Sequence, residues 1–327
     1  MKTNIAVVIP NWNGKHYLKG CIDSLLSQSI KVTIIVVDNG SVDGSPEYIE
    51  QNFPQVKLIK LTSNHGFTGG VNAGIKDAIK TDQEFVALFN NDAVADKHWL
   101  ENLVTAMTAH KRVGIVTGKF MRDDKQHLDS TGDFLTTTGL PYPRGRNEVD
   151  KGQYDKSNYV FGATGGASLY RVEMLKQIGL FDEKFFAYFE DVDISFRAQL
   201  AGWKVYYEPK AIAYHKVGGT SSKLGSFSRY HSTKNFHLLF LKNMPGMLFW
   251  KYFPLAVLQS FRMAVGSIVH GQYLTHLKGY FAAVILLPHC IIERRKIQKS
   301  RKVSTAYIDS MLVHGRAPKP DKYKSIS

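Results

Sequence analysis

Short apolar runs alternate with longer polar stretches through the first two thirds of the chain. The runs at 5–9, 32–37, 56–61, 85–89 and 113–117 are rich in Val and Ile, the pattern of strands buried on both faces of a parallel sheet. The stretches between them, at 15–28, 45–52, 69–80 and 96–110, read as helices. Ser45-Pro46-Glu47 puts a proline at a first helical position, and Asp96 precedes Trp99, Leu100 and Leu103 at helical spacing. Such a β-α-β-α order predicts an open α/β sheet covered on both faces, with ligands beyond the carboxyl ends of the strands.

Polar constellations fall at those ends. Pro10-Asn11-Trp12-Asn13-Gly14 follows the first run, Asp38-Asn39-Gly40-Ser41 the second, Asn64-His65-Gly66 through Gly74 the third, and Asn90-Asn91-Asp92 the fourth. Any one of them reads equally well as a turn, because such residues cluster between elements for backbone reasons. Four in register point to a ligand. The glycines at 66–74 do not form a dinucleotide fingerprint, which belongs directly after the first strand. They do allow close backbone approach at a helix start, where free N–H groups and the helix dipole suit a nucleotide diphosphate. Two acidic clusters complete the chemistry. Asp92, at a strand end, suits a cation, with helix capping as its other reading. Glu190-Asp191-Val192-Asp193 opens a helical stretch and offers a proton acceptor, while Asp193 and Arg197 have the spacing of an i,i+4 ion pair.

Composition narrows the class. A chain of 327 residues with 44% hydrophobic and 12% aromatic side chains has the means to bury one large domain and an extension. Cys21 and Cys290 are far apart and lack zinc spacing, so two buried thiols in a reducing compartment are expected. Ile5–Ile9 before Pro10 is too short for a secretory apolar segment, so export is not expected. The net charge of +14 is confined to the last third: residues 1–208 hold 23 basic against 25 acidic side chains, residues 209–327 hold 19 against 3. Those basic residues sit among apolar runs instead of on a polar face, which predicts an anionic surface as partner and no nucleic acid.

Taken together, Val-Val-Ile-Pro-Asn-Trp-Asn, Val-Val-Asp-Asn-Gly-Ser-Val-Asp-Gly-Ser, Asn-His-Gly-Phe-Thr-Gly-Gly-Val-Asn-Ala-Gly, Asn-Asn-Asp and Glu-Asp-Val-Asp resemble the family 2 inverting glycosyltransferases, most of all their rhamnosyltransferase-like branch, over residues 5–220. The resemblance implies a GT-A-type, Rossmann-like nucleotide-sugar-binding domain over residues 1–225, with a mixed, mostly parallel sheet and helices on both faces, followed by a C-terminal helical extension over 226–327. It places Pro10, Asn11 and Asn13 around the nucleoside and Asp38 on the base edge, where a carboxylate suits uracil or thymine, leaving UDP and dTDP both open. Asn64, Gly69, Asn72 and Asn91 would line the donor pocket. Asn90-Asn91-Asp92 stands at the family's DxD position with Asn90 replacing the first acid, and Asp92 would bind Mg2+ or Mn2+. One carboxylate plus substrate phosphates is chemically sufficient for such a cation. His215 would complete the metal site or touch the diphosphate, ahead of a flap at Gly218-Gly219-Thr220-Ser221. Asp191 would be the catalytic base, with Glu190 beside it raising the basicity of the pair. Gly162 to Arg171 resembles the acceptor-side strand, and Phe185, Phe186, Tyr188 and Phe189 read as a sugar-stacking wall or as core. Gln199-Leu200-Ala201-Gly202-Trp203 is spaced like the QxxRW motif of processive synthases, but Gly202 stands where the Arg belongs, which favours a single addition.

The last third adds location. Apolar segments at 247–261, 263–269 and 279–292 are interrupted by Lys251, Pro254, Arg262, Gly271 and Lys278, and the longest uncharged stretches are 15 and 14 residues, short of the ~20 that a span needs. An interfacial anchor on an anionic membrane surface is expected, reinforced by Arg294, Arg295 and Lys296. A soluble helical subdomain or a homodimer interface is the other reading. The expectation is therefore a cytoplasmic transferase, peripheral on the inner face of the cell membrane, that moves a sugar from a nucleotide-sugar donor to a saccharide or lipid-linked saccharide acceptor. A catalytically inactive binding or scaffold protein of the same fold is the competing one. A pyrophosphorylase would need a basic, Gly-rich loop after the first strand, and Pro10 and Trp12 stand there.

Overall fold

A computed structural model describes residues 4–216 and 225–315; the Gly218–Ser221 flap lies outside them. The first half runs β1 (Ile5–Asn11), α1 (Lys15–Leu26), β2 (Thr33–Asp38), α2 (Ser45–Asn52), β3 (Lys57–Lys60), α3 (Gly66–Lys80) and β4 (Phe85–Phe89). β1 pairs in parallel with β2 on one side and β4 on the other, and β3 lies outside β2. Alternate side chains of one strand serve two cores. Ile5, Val7 and Ile9 pack with α1, whereas Ala6 and Val8 pack with Val71 and Ile75 of α3, which is why the strands read as unbroken apolar runs. Pro46 sits in the first turn of α2, after Gly44 in a left-handed conformation. The order reverses between β1 and β4, and the crevice at that switch is where an α/β sheet receives ligands.

The second half continues with β5 (Ala93–Ala95), α4 (Trp99–Ala109) and β6 (Val113–Arg122). Four strands of three residues follow, β7 (Leu128–Ser130), β8 (Asp133–Leu135), β9 (Pro141–Pro143) and β10 (Asn158–Val160), then β11 (Ala167–Arg171), α5 (Val172–Ile178), α6 (Glu190–Leu200) and β12 (Lys204–His215). The main sheet has the order β10-β12-β6-β11-β4-β1-β2-β3. β11 is antiparallel to both β4 and β6, and β12 is parallel to β6. The mixed, mostly parallel sheet with helices on both faces is the architecture the sequence predicts.

The C-terminal extension comprises α7 (Gly225–Asn243), α8 (Gly246–Val269), α9 (Tyr273–Ile285), α10 (Leu287–Ser300) and α11 (Thr305–Met311). A third core joins it to the sheet domain, where Val192, Phe196 and Leu200 of α6 meet Phe236, Leu239, Phe240 and Met244. Asp193, with no exposed surface, takes Arg197 Nε at 2.9 Å, Lys242 Nζ at 2.9 Å and Asn243 Nδ2 at 2.7 Å. Lys242 also reaches Asp182 at 2.6 Å, as His289 does at 2.9 Å. Burial alone would push the Asp182 carboxyl up, but the Lys242 ammonium and the His289 hydrogen bond hold it well below the ordinary range. The Asp193–Arg197 pair is thus present as its spacing predicts, with partners from α7 that the spacing does not show. α8 continues through Lys251, Pro254 and Arg262, which the sequence reading takes as interruptions. At 24 residues and a mean hydropathy of 1.3 it is long and apolar enough to cross a bilayer by length and composition. Cys21 and Cys290 are both free and buried.

Lys242→Met would leave two buried carboxylates short of a counter-charge. A loss of about 3 kcal/mol or more in unfolding free energy is expected by chemical denaturation, and an unchanged midpoint would show that the seam does not stabilise the fold.

Candidate active site

A cleft of about 550 Å3 opens at the carboxyl ends of β1 and β4. Pro10, Asn11 and Trp12 line it from β1, Asn39 and Asn64 from the next two strand ends, and Asn90, Asn91 and Asp92 from β4. A ladder of side-chain amides fixes these ends to one another. Asn91 Nδ2 donates to Asn11 Oδ1 at 2.7 Å, and Asn11 Nδ2 donates to Asp38 Oδ1 at 3.2 Å. Asn39 Nδ2 donates to Asn64 Oδ1 at 3.1 Å, whose oxygen also accepts from the Gly66 N–H at 2.8 Å.

At the β4 end of this wall, sheet topology brings His215 to Asp92. β5 pairs antiparallel with the end of β12 so that Ala93 faces His215, and the Lys216 N–H donates to the Asp92 carbonyl at 3.0 Å. His215 Nε2 lies 3.2 Å from Asp92 Oδ1 and its Nδ1 lies 2.9 Å from Asp129 Oδ2, with the ring stacked on Phe120. Burial opposes the imidazolium, but the two carboxylates outweigh it and push the pKa up to about 9. Arg146, on the cleft wall, lies 3.3 Å from the second Asp129 oxygen.

Three carboxyls converge on the same cleft: Asp133 of β8 and Glu190 and Asp191 of α6. Burial pushes all three up, and Asp191 raises both Glu190 and Asp133 further. They are not equivalent. Asp191 Oδ2 accepts from the Gly165 N–H at 3.1 Å and Oδ1 from the Val192 N–H at 2.8 Å, bonds that favour its anion, whereas Glu190 Oε2 is buried without a partner among the described residues. One group is equipped to hold the negative charge and its neighbour to keep a proton. Both also stand in the first turn of α6, at the positive end of its dipole.

The peptide that delivers this pair is strained. Phe186, Tyr188 and Phe189 all have left-handed backbones, with φ of 67°, 70° and 68°, each at a cost of roughly 1–2 kcal/mol for a non-glycine residue. Phe186, Tyr188 and Phe189 line the cleft, while Phe185 is buried beneath Lys242. Gly165 and Gly166 also line it, and their lack of side chains has an internal reason. A Cβ on Gly166 would lie 2.9 Å from Asn90 Nδ2, and one on Gly165 would lie 3.1 Å from the Phe67 ring.

Several residues named from the sequence do other work. Asn72 binds the Phe181 carbonyl and Glu183 and accepts from the Phe181 N–H, so its amide anchors the loop after α5. Gly69 lies within α3, where a Cβ would meet His65. Neither lines the cleft, nor do Asn13, which accepts from the Val42 N–H, and Asp38, which accepts from the Ser41 N–H behind Asn11. Gln199 is buried and donates to the Val160 and Phe161 carbonyls. Conversely, Asp129, Asp133 and Arg146 are absent from the sequence-based set. They lie on or just after the three-residue strands β7 to β9, which leave no periodicity to read; the local signals are turns such as those at Gly132, with φ of 107°, and Gly145, with φ of 77°.

His215 ties protonation to stability. Its folded pKa, about 9, exceeds the ordinary 6.5, so its contribution is complete below pH 6.5 and disappears as pH rises through about 9. Metal-free protein should lose a few degrees of melting temperature over that window, and His215→Gln should remove that component. A variant with the same pH dependence as the wild type would contradict the assignment.

Comparison with known proteins places the chain in a family. The family Glycosyl transferase family 2 matches residues 6–179. The N-acetylglucosaminyl-diphospho-decaprenol L-rhamnosyltransferase of Mycobacterium tuberculosis (strain CDC 1551 / Oshkosh) is 26% identical over 257 residues, covering 72% of this chain and 83% of that protein. The dTDP-rhamnosyl transferase RfbF of Shigella flexneri is 25% identical over 279 residues, covering 83% and 88%. Among solved structures, the mannosyltransferase PcManGT from Pyrobaculum calidifontis, in complex with GDP-Man and Mn2+, superposes with a TM-score of 0.56 at 16% identity over 95% of this chain and 86% of that one. S. aureus TarS in complex with UDP-GlcNAc gives 0.55 at 17% identity, over 94% and 91%. The structural likeness is one of fold, the GT-A fold. With the family matched over more than half its length, this chain belongs to glycosyl transferase family 2.

Proposed function

We propose that the protein is an inverting, single-addition glycosyltransferase that moves a sugar from dTDP-rhamnose or a UDP-sugar to a hydroxyl of a lipid-linked saccharide acceptor in cell-surface polysaccharide synthesis. The observation that carries this is the shared cleft: Asp191, the one of three clustered carboxyls with two backbone N–H donors, and the Asp92–His215 pair both line it. The nucleotide would lie along Pro10, Asn11 and Asn91, and the sugar between them and Asp191. Asp191 takes the proton of the acceptor hydroxyl as that oxygen attacks the anomeric carbon from the face opposite the nucleotide. Glu190 and Asp133, pushed towards their protonated forms by burial and by Asp191, would be hydrogen-bond donors to sugar hydroxyls.

The residues present also fit a divalent cation. Asp92 Oδ1 and His215 Nε2 converge at 3.2 Å, and Asp129 holds Nδ1 from behind, as carboxylates commonly do behind metal-bound imidazoles. Among the described residues no group of three or more His, Cys, Asp and Glu side chains closes a cation site alone, so Asp92 and His215 would hold Mg2+ or Mn2+ together with donor phosphates. Bound there, the ion would neutralise charge on the leaving diphosphate.

The same proposal places the enzyme at the cytoplasmic face of the membrane. α8 and α9 expose Trp250 (69%), Phe261 (65%) and Ile285 (76%), and Arg262, Lys278, Arg295 and Lys299 are exposed on the same helices and α10. Apolar side chains flanked by cations suit an anionic bilayer surface.

Asp191→Asn should lower transfer about 10²- to 10⁴-fold with nucleotide binding retained. A screen of dTDP-rhamnose and UDP-sugars, with and without chelator, reads the donor and the metal requirement. Turnover by the Asn variant near the wild-type rate would reject the mechanism. For the membrane, the double substitution Trp250→Ser and Phe261→Ser should weaken co-sedimentation of the full chain with phosphatidylglycerol vesicles at least about tenfold without lowering the melting temperature. Unchanged vesicle binding, or a concentration-dependent dimer that ignores vesicles, would refute the placement.

A further inference from the structure

We propose that Asn235 and Lys234 of α7 are positioning residues for the Asp191 base, so that the C-terminal extension is part of the catalytic apparatus; this rests on the reading of Asp191 given above. The argument begins with the loop that precedes α6. It holds three left-handed aromatic residues, and each of its buried carbonyls needs a donor. Asn235, fully buried, sets the two N–H bonds of its Nδ2 among three carbonyls, those of Phe185 at 3.0 Å, Ala187 at 2.8 Å and Tyr188 at 2.7 Å, of which Phe185 also accepts from the Ala187 N–H at 2.8 Å. Lys234 Nζ donates to the Lys184 carbonyl at 2.7 Å and the Phe185 carbonyl at 3.3 Å. The remaining carbonyl, that of Phe186, accepts from the Thr68 N–H at 3.2 Å.

Three acceptors around a single amide nitrogen settle its orientation, because the reverse placement would set the amide oxygen against three carbonyls. The consequence for chemistry is direct. Phe189 is the residue before Glu190 and caps α6 in the left-handed conformation, so whatever holds 185–188 also sets the entry angle of the helix and the aim of Asp191. α7 is tied to the same helix further on, through Asn243 and Lys242 on Asp193. Loop and helix are thus both gripped by one element of the extension. Nothing else among the described residues is bonded to the Ala187 and Tyr188 carbonyls.

Without Asn235 the left-handed backbone loses what opposes its relaxation, and Asp191 drifts from the acceptor oxygen. A displacement of this kind costs about 10²-fold in rate, while the nucleotide side of the cleft, built from β1 and β4, is untouched. The test therefore separates kcat from donor binding. Asn235→Ala and Lys234→Met should lower kcat per folded molecule, by about 10²-fold for the former, with the Kd for dTDP and UDP in the presence of Mn2+ unchanged; Lys234→Arg, which keeps a donor, should restore most of the loss. If Asn235 acts through the base, Asn235→Ala adds little on an Asp191→Asn background. Additive losses, a wild-type kcat in Asn235→Ala, or a parallel loss of nucleotide affinity would overturn the proposal. Should Asn235→Ala fail to fold, the Lys234→Met and Lys234→Arg pair decides it. Asp191→Asn with undiminished transfer would instead sink the functional reading on which the inference rests.

Discussion

A carboxylate with no exposed surface persists as an anion only if its charge is answered from several sides, and Asp193 is answered from two parts of the chain at once. Arg197 comes from its own helix, and Lys242 and Asn243 come from the extension. The orientation of α6 follows from that meeting, because any rotation of the helix would withdraw Asp193 from one set of partners. Glu190 and Asp191 lie on the same first turn, so their place at the cleft depends on an ion cluster that does not itself line it.

The other half of the site is positioned by sheet pairing. β12 runs parallel to β6 for most of its length, and after the irregularity between Glu208 and Ile212 its end also pairs with β5. That register sets His215 beside Asp92 while Phe120 and Asp129 fix the plane and orientation of the ring. The wall at the ends of the first strands is a row of amides bonded to one another. A pocket made this way is formed before any ligand arrives, which reduces the ordering cost of binding.

The parallel strands, the helices between them and the pairing of Asp92 with Asp191 on one cleft were legible because each leaves a periodic or strand-end signature. Asp129, Asp133 and Arg146 were not legible, since strands of three residues have no period. Asn72 and Asp38 sit in the right motifs but spend their hydrogen bonds on the frame, a distinction that residue type alone does not make. The basic tail misleads in a related way. Its excess positive charge reads as a surface feature, yet Lys234 and Lys242 are buried with carbonyl and carboxylate partners. Counting charge locates a cation along the chain but not in depth.

The two cysteines carry a practical consequence. Burial, with Asp92 as a lesser cause, pushes the Cys21 thiol far up, and burial likewise pushes Cys290 up to about 11. Neither is a thiolate at neutral pH, and neither is open to an alkylating reagent. A single thiol introduced at an exposed site such as Val257 would therefore accept a fluorescent or spin probe alone in the native protein, and the polarity that probe senses would distinguish acyl chains from water or a protein neighbour.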